Sequence, residues 1–192
     1  MADFQFRGVG ASNHTDKERV KQDYYATNPA AIDYLLSGGA KLSHNLWECA
    51  CGEGHLSKKL ESLGYSVIST DIIDRGYGIG GVDFLKQDEV FDGDIITNPP
   101  FNQGLEFVQH ALSLVNNGNK VFMFLKLCFL EGQKRRKLFD TKQLRCVYVS
   151  SKRMSCANNG EFGKYKASSA IAYAWFEFEK GYSGDPIIKW IN

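Results

Sequence analysis

Asn98, Pro99, Pro100 and Phe101 stand directly after the apolar run Asp94-Ile95-Ile96-Thr97. Consecutive prolines donate no backbone hydrogen bond and fix the local φ angles, so the chain must leave a sheet rigidly right after Thr97. Two acceptors then remain side by side, the Asn98 side-chain oxygen and the Pro99 carbonyl. Such a pair suits the two hydrogens of a primary amine. An amine conjugated with an aromatic ring is a poor nucleophile because its lone pair is delocalised. Holding both hydrogens favours the pyramidal form and frees the lone pair for in-line attack. Phe101 offers a face on which the planar base carrying that amine can stack. Chemistry of this kind requires no nucleophilic side chain and no metal.

A second cluster, Glu48-Cys49-Ala50-Cys51-Gly52-Glu53-Gly54, lies where a short strand gives way to a helix. Gly52 and Gly54 permit a tight turn and a close approach of backbone to ligand, and the following helix turns its first amides toward the same crevice. A dinucleotide fingerprint G-x-G-x-x-G fails at Ser57, and no Gly-Lys-Ser/Thr follows as in a phosphate-binding Walker loop. Glu48, ahead of the turn, suits a positively charged ligand end better than a pyrophosphate. The ammonium and sulfonium of S-adenosylmethionine meet that requirement. Asp71 ends the next strand, where a carboxylate can accept from both ribose hydroxyls. Asp83 and Phe84 follow a third, where an Asp can accept from an adenine amine and a ring can cover its face. Cys49, Ala50 and Ile72 complete the expected cofactor wall.

These residues need a scaffold, and the chain alternates in a way that supplies one. Asn28-Pro29 opens a helix that stops at Gly38-Gly39. Strands are expected at 46–50, 65–70, briefly at Val82, and at 94–97, 120–125, 144–150 and 168–178. Helices are expected at 55–63, 103–115 and 131–140. Strands alternating with helices imply a parallel sheet covered on both faces. A polar loop without a helix joins the last two strands, so the final one returns antiparallel. The expectation is an α/β, doubly wound, Rossmann-like fold with a seven-stranded sheet, mostly parallel, with one antiparallel strand near the C-terminus. Residues 1–23 read as an N-terminal arm and 24–192 as a single catalytic domain without a separate target-recognition domain.

The glycine cluster resembles motif I of class I methyltransferases, in the E-x-A-C-x-x-G form of amino-methyltransferases, and Asn98-Pro99-Pro100-Phe101 resembles their catalytic motif. Upstream, Tyr24-Tyr25-Ala26-Thr27-Asn28-Pro29 resembles motif X of the N-6 adenine-specific DNA methyltransferases, although that family places Pro directly after the Thr. The order of the three motifs is similar to the gamma-type arrangement of small phage and mobile-element enzymes, over roughly residues 24–178. The resemblance implies a class I fold and S-adenosylmethionine as cofactor. It places Tyr24, Tyr25 and Thr27 at the methionine end and Asn98 beside both cofactor and target. It implies methylation of the exocyclic amine of adenine in DNA. RNA adenine, a cytosine amine and a protein glutamine remain as alternative acceptors, and a catalytically idle cofactor-binding module as an alternative of another class.

The formal net charge is only +1, so a nucleic-acid partner would have to be met by local clusters. Lys134-Arg135-Arg136-Lys137 is one, although four consecutive basic residues circle a helix and read equally as a solvated start. The loop 151–166 is the other. Lys152 and Arg153 would position phosphates, and Phe162 or Tyr165 would form a second wall opposite Phe101 around an extruded base. Sequence specificity would then come from short loops, a homodimer or a partner protein. Five cysteines, an odd number, with no leader before them, read as reduced thiols and a cytoplasmic location. No metal site is expected. The longest apolar run, 121–125, stops at Lys126, far short of a membrane span.

Overall fold

The structure, a computed structural model, describes residues 26–152, 154, 156–157 and 171–192. The arm 1–23 and the expected site residues Tyr24, Tyr25, Arg153, Phe162 and Tyr165 lie outside the described residues.

A two-residue strand, β1 (Ala26–Thr27), precedes α1 (Ala30–Ser37), whose first turn is capped by the Asn28 side chain accepting from the Ala30 N–H at 3.0 Å. Then come β2 (Asn45–Glu48), α2 (His55–Ser62), β3 (Ser66–Ser69), β4 (Asp94–Thr97), α3 (Gly104–Leu114) and β5 (Lys120–Lys126). The chain continues through α4 (Arg136–Asp140), β6 (Leu144–Ser150), β7 (Cys156–Ala157), β8 (Tyr173–Glu179) and β9 (Ile187–Ile191). Seven strands form one sheet in the order β3-β2-β4-β5-β8-β6-β9, while β1 and β7 make a separate antiparallel ribbon. β8 runs antiparallel to both its neighbours, and the other six strands share one direction.

The covering of the sheet follows from its side-chain alternation. β5 is buried on both faces. Its Val121, Met123 and Leu125 join Phe107, Val108 and Ala111 of α3 in one core. Phe122 and Phe124 point the other way and join Ile32 and Leu35 of α1 and Leu56 and Leu60 of α2 in a second core. Trp175, fully buried in β8, donates its indole N–H to the Ala31 carbonyl at 2.9 Å and so fixes α1 to the sheet.

Two expectations need correction. Val82 is not a strand. Gly76, Gly78 and Gly81 take positive φ, and the stretch folds back so that only Thr70 and Ile79 form a parallel bridge. A strand at the other end, β9, was not expected at all: it is an edge, with Ile188 and Trp190 half or more exposed, and it shows no polar–apolar alternation. The expected helix at 131–140 starts late, because Gly132 at φ +106 opens a short 3-10 turn, Gln133–Arg135, before α4.

Trp175→Phe removes the indole donor and leaves a void beside α1. It should cost about 1–3 kcal/mol and lower Tm by about 2–4 °C for each kcal/mol. Calorimetry reading an unchanged Tm would show that this bond does not anchor α1.

Candidate active site

Parallel strands that share a direction also share a rim, and the carboxyl ends of β2, β3 and β4 lie side by side. At that rim the fold encloses a cavity of about 400 Å³. Glu48 ends β2, Asp71 follows β3 and Asn98 follows β4, and all three line it. Cys49, Ala50 and Ile72 line it as well, as do Pro99, Pro100 and Phe101 from the rigid corner. Thr27 enters from β1.

Glu48 is 2% exposed. Its carboxyl accepts a hydrogen bond from the Ser57 hydroxyl, which in turn lies 2.6 Å from that of Ser69. Burial pushes the Glu48 carboxyl up to about 8 against the pull of the Ser57 hydrogen bond, and the charges of Asp71 and Glu61 push the same way. A group so tuned is neutral at neutral pH while it faces no cation. Burial also raises the Cys49 thiol and pushes that of Cys51 up to about 12, so neither is a thiolate nucleophile near neutrality.

Gly52 and Gly54 do not line the cavity; they build its edge. Asp71 accepts from the Gly52 N–H at 2.8 Å and, with its other oxygen, from the Ile73 N–H at 2.9 Å, which ties the β3 end to the glycine turn. Each carboxylate oxygen keeps a second lone pair for a ligand hydroxyl. Gly54 stands at φ +76 as the first cap of α2, and a Cβ there would collide with the ring of Tyr77. The open backbone that the sequence suggested for a ligand is thus covered by a tyrosine on that flank. Asp83 caps the short turn Phe84–Lys86 through the Leu85 N–H at 3.2 Å and pairs with Lys86 at 3.2 Å. Phe84 lines the cavity, and its buried ring packs 5.3 Å from that of Trp47 and 5.0 Å from that of Phe107.

The Asn98 side-chain amide donates to the Thr27 hydroxyl at 2.8 Å. Thr27 itself is held by the ribbon with β7, paired through Thr27 and Cys156. Phe101 begins a 3-10 turn whose Gln103 N–H returns to the Pro100 carbonyl at 2.9 Å. The Phe101 ring sits 5.6 Å from that of Tyr173, and the Lys126 ammonium lies over it at 4.5 Å from the centroid.

Sequence reasoning did not assign Ser57, Tyr77, Arg75 or His55, although Arg75 and His55 line the cavity. Ser57 carried a signal of its own, a small polar residue between Leu56 and Leu60 on the buried side of α2. Of the basic positions, Lys134 and Lys152 are exposed. Arg135 is turned back on its own loop. It donates to the carbonyls of Glu131 at 2.8 Å and Cys128 at 3.1 Å, with its guanidinium over Phe129, so it braces that loop. Among the described residues no group of three His, Cys, Asp or Glu side chains converges as a metal site. None of their helices is long and apolar enough to cross a membrane.

By sequence the chain matches no protein-family profile and no curated protein. By structure it is similar to a provisionally assigned RNA methyltransferase from Pyrococcus horikoshii (TM-score 0.59, 16% identity, 83% of this chain and 88% of that one). It is similar to the methyltransferase subunit of a type I restriction-modification system from Streptococcus thermophilus (TM-score 0.56, 14% identity, 83% of this chain and 45% of that one). A provisionally assigned class I S-adenosylmethionine-dependent methyltransferase from Listeria monocytogenes also matches (TM-score 0.55, 13% identity, 84% of this chain and 63% of that one). The chain spans less than half the length of the restriction-modification subunits it matches. Its fold is that of the class I methyltransferases.

Proposed function

We propose that the cavity binds S-adenosylmethionine and that the chain methylates the exocyclic amine of adenine in DNA. The observation that carries this reading is the position of the proline-locked corner, which lines the same cavity as the buried Glu48. The donor set fits the cofactor. A buried carboxyl suits the cationic methionine end, and the Asp71 carboxylate beside the glycine turn suits ribose hydroxyls. When bound, the cofactor supplies a methyl group on a sulfonium. Asn98 and the Pro99 carbonyl accept the two hydrogens of the target amine and hold its nitrogen lone pair toward that methyl. The cofactor would supply the methyl group and keep the electron pair of the broken bond, and the extra proton on the amine nitrogen would pass to water. Similarity to restriction-modification methyltransferase subunits supports DNA as the acceptor; similarity to an assigned RNA methyltransferase keeps RNA adenine as the second reading.

The direct test expresses the protein, and an Asn98→Ala variant, in cells whose DNA and RNA nucleosides are then weighed by mass spectrometry. N6-methyladenine in DNA is expected from the wild-type protein alone. In purified form Asn98→Ala should lower kcat by about 10²–10³-fold while the Kd for S-adenosylmethionine stays within about threefold. Product on glutamine peptides only, or none with no cofactor binding, would overturn the reading.

Thr27→Val deprives the Asn98 amide of its acceptor and should lower kcat by about tenfold, with Thr27→Ser close to wild type. Equal kcat in Val and Ser variants would show that the hydroxyl does not orient Asn98.

Glu48 supplies a pH signature. Its folded value of about 8 exceeds the ordinary 4.5, so the protein alone is most stable below pH 4.5 on this account and loses that stability as pH rises toward 8. Binding of a cation must ionise Glu48, so cofactor affinity should rise between pH 6 and 8, by up to about tenfold per unit, with proton release. Titration calorimetry in buffers of different ionisation enthalpy reads this directly. A Glu48→Gln variant should bind weakly and without the slope; a wild-type affinity flat in pH would remove Glu48 from the binding step.

A further inference from the structure

Lys126 ends β5, half-buried, opposite Tyr173 in the register with β8. Its ammonium lies over the Phe101 ring, 4.5 Å from the centroid. Phe101 is the aromatic member of the proline-locked corner and lines the cavity. Tyr173, 6% exposed and stacked on Phe124, flanks the same ring at 5.6 Å. Tyr173 is therefore fixed in the core, and Lys126 covers a face of the adjoining Phe101 ring.

The surroundings of Lys126 differ from those of other half-buried lysines. Lys120 donates to the Lys41 carbonyl and faces Glu177, Lys59 pairs with Asp33, and Lys189 donates to the Gly38 carbonyl. Among the described residues no carboxylate lies within ion-pairing distance of Lys126. A positive charge thus stands at the end of a strand beside the cavity, next to the ring, with its negative partner not supplied by those residues. A cation over a ring is held more loosely than a base stacked on it, so an arriving base can take its place. The four-carbon stem lets the ammonium swing away without leaving the rim. An extruded nucleotide brings both groups needed, a planar base for Phe101 and phosphates on either side for the ammonium.

Resting on the reading above, we propose that Lys126 is a positioning residue for the target nucleotide. It holds the stacking face of Phe101 in the free protein, yields it to the base, and pairs with a phosphate flanking the extruded nucleotide. The event is a change of non-covalent partner, with no proton or bond transferred.

The test uses the full chain with unmethylated mixed-sequence duplex DNA, comparing wild type, Lys126→Met and Lys126→Arg across a series of salt concentrations. Lys126→Met should raise the KM for DNA about tenfold near physiological salt and reduce the slope of log KM against log salt by about one. Its kcat and its Kd for S-adenosylmethionine should stay within about twofold, and Lys126→Arg should restore both KM and slope. A wild-type enzyme active on DNA, with Lys126→Met matching its KM and slope, overturns this proposal and leaves the proposed function standing. A fall in kcat at unchanged slope also overturns it, since it assigns Lys126 to the chemical step or to packing. Wild-type protein that binds the cofactor yet methylates no nucleic acid overturns both.

Discussion

A carboxyl shut away from water must either keep its proton or meet a cation, and Glu48 is placed so that this choice governs the cavity. Its position at the end of β2 is imposed by the parallel sheet, and its closure is imposed by α2, which brings Ser57 down onto it. Replacing the carboxyl by an apolar group would be the less demanding solution for the fold alone, because a buried ionisable group costs solvation that its hydrogen bonds to Ser57 only partly offset. Its presence makes sense if the missing half of the interaction arrives with a ligand. The rest of the rim follows the same logic. Asp71 spends one lone pair of each oxygen on backbone N–H groups, and those bonds hold the carboxylate still while leaving acceptors pointed outward.

The opposite wall is made rigid by different means. Pro99 and Pro100 contribute no N–H, so nothing in the sheet can draw the segment back into a ladder, and the chain turns at once into the 3-10 turn of Phe101–Gln103. Asn98 is then steadied from outside, by a hydroxyl 71 residues earlier in the chain. Rigid placement of acceptors matters more than their number, because an amine must be held before attack within a small angular range.

What could be read from the sequence separates along this line. The residues that gather at the cavity were legible. The double proline after an apolar run, the carboxylate ahead of a glycine turn and the acidic residues at successive strand ends are each written within a few residues, and the sheet that gathers them follows from simple alternation. Packing was not legible. Nothing near Gly54 says that its missing side chain makes room for Tyr77. Nothing near Phe84 says that its ring is claimed by Trp47 and Phe107. Arg135 reads as a surface charge until the carbonyls of Glu131 and Cys128 are seen to hold it. Strand count was a partial success of the same kind: Val82 lost its strand to neighbouring glycines that favour turns, while β9 supplied an edge whose exposed Ile188 and Trp190 carry no periodic signature.

The ribbon of β1 and β7 gives these pieces one more connection. Two residue pairs are too few to hold two segments together unaided, so the ribbon must draw its persistence from what flanks it. On one side that is α1, bonded to the sheet through the Ala31 carbonyl and Trp175. On the other it is the bond from Asn98 to Thr27, which closes the loop back to the proline corner. The strand Cys156–Ala157 is thereby fastened, through Thr27, to the side-chain amide of Asn98. A displacement of that segment cannot occur at Cys156 and Ala157 without either breaking the ribbon or moving Thr27, and moving Thr27 releases Asn98. The placement of the Asn98 side chain and the position of the strand Cys156–Ala157 are in this way one mechanical variable.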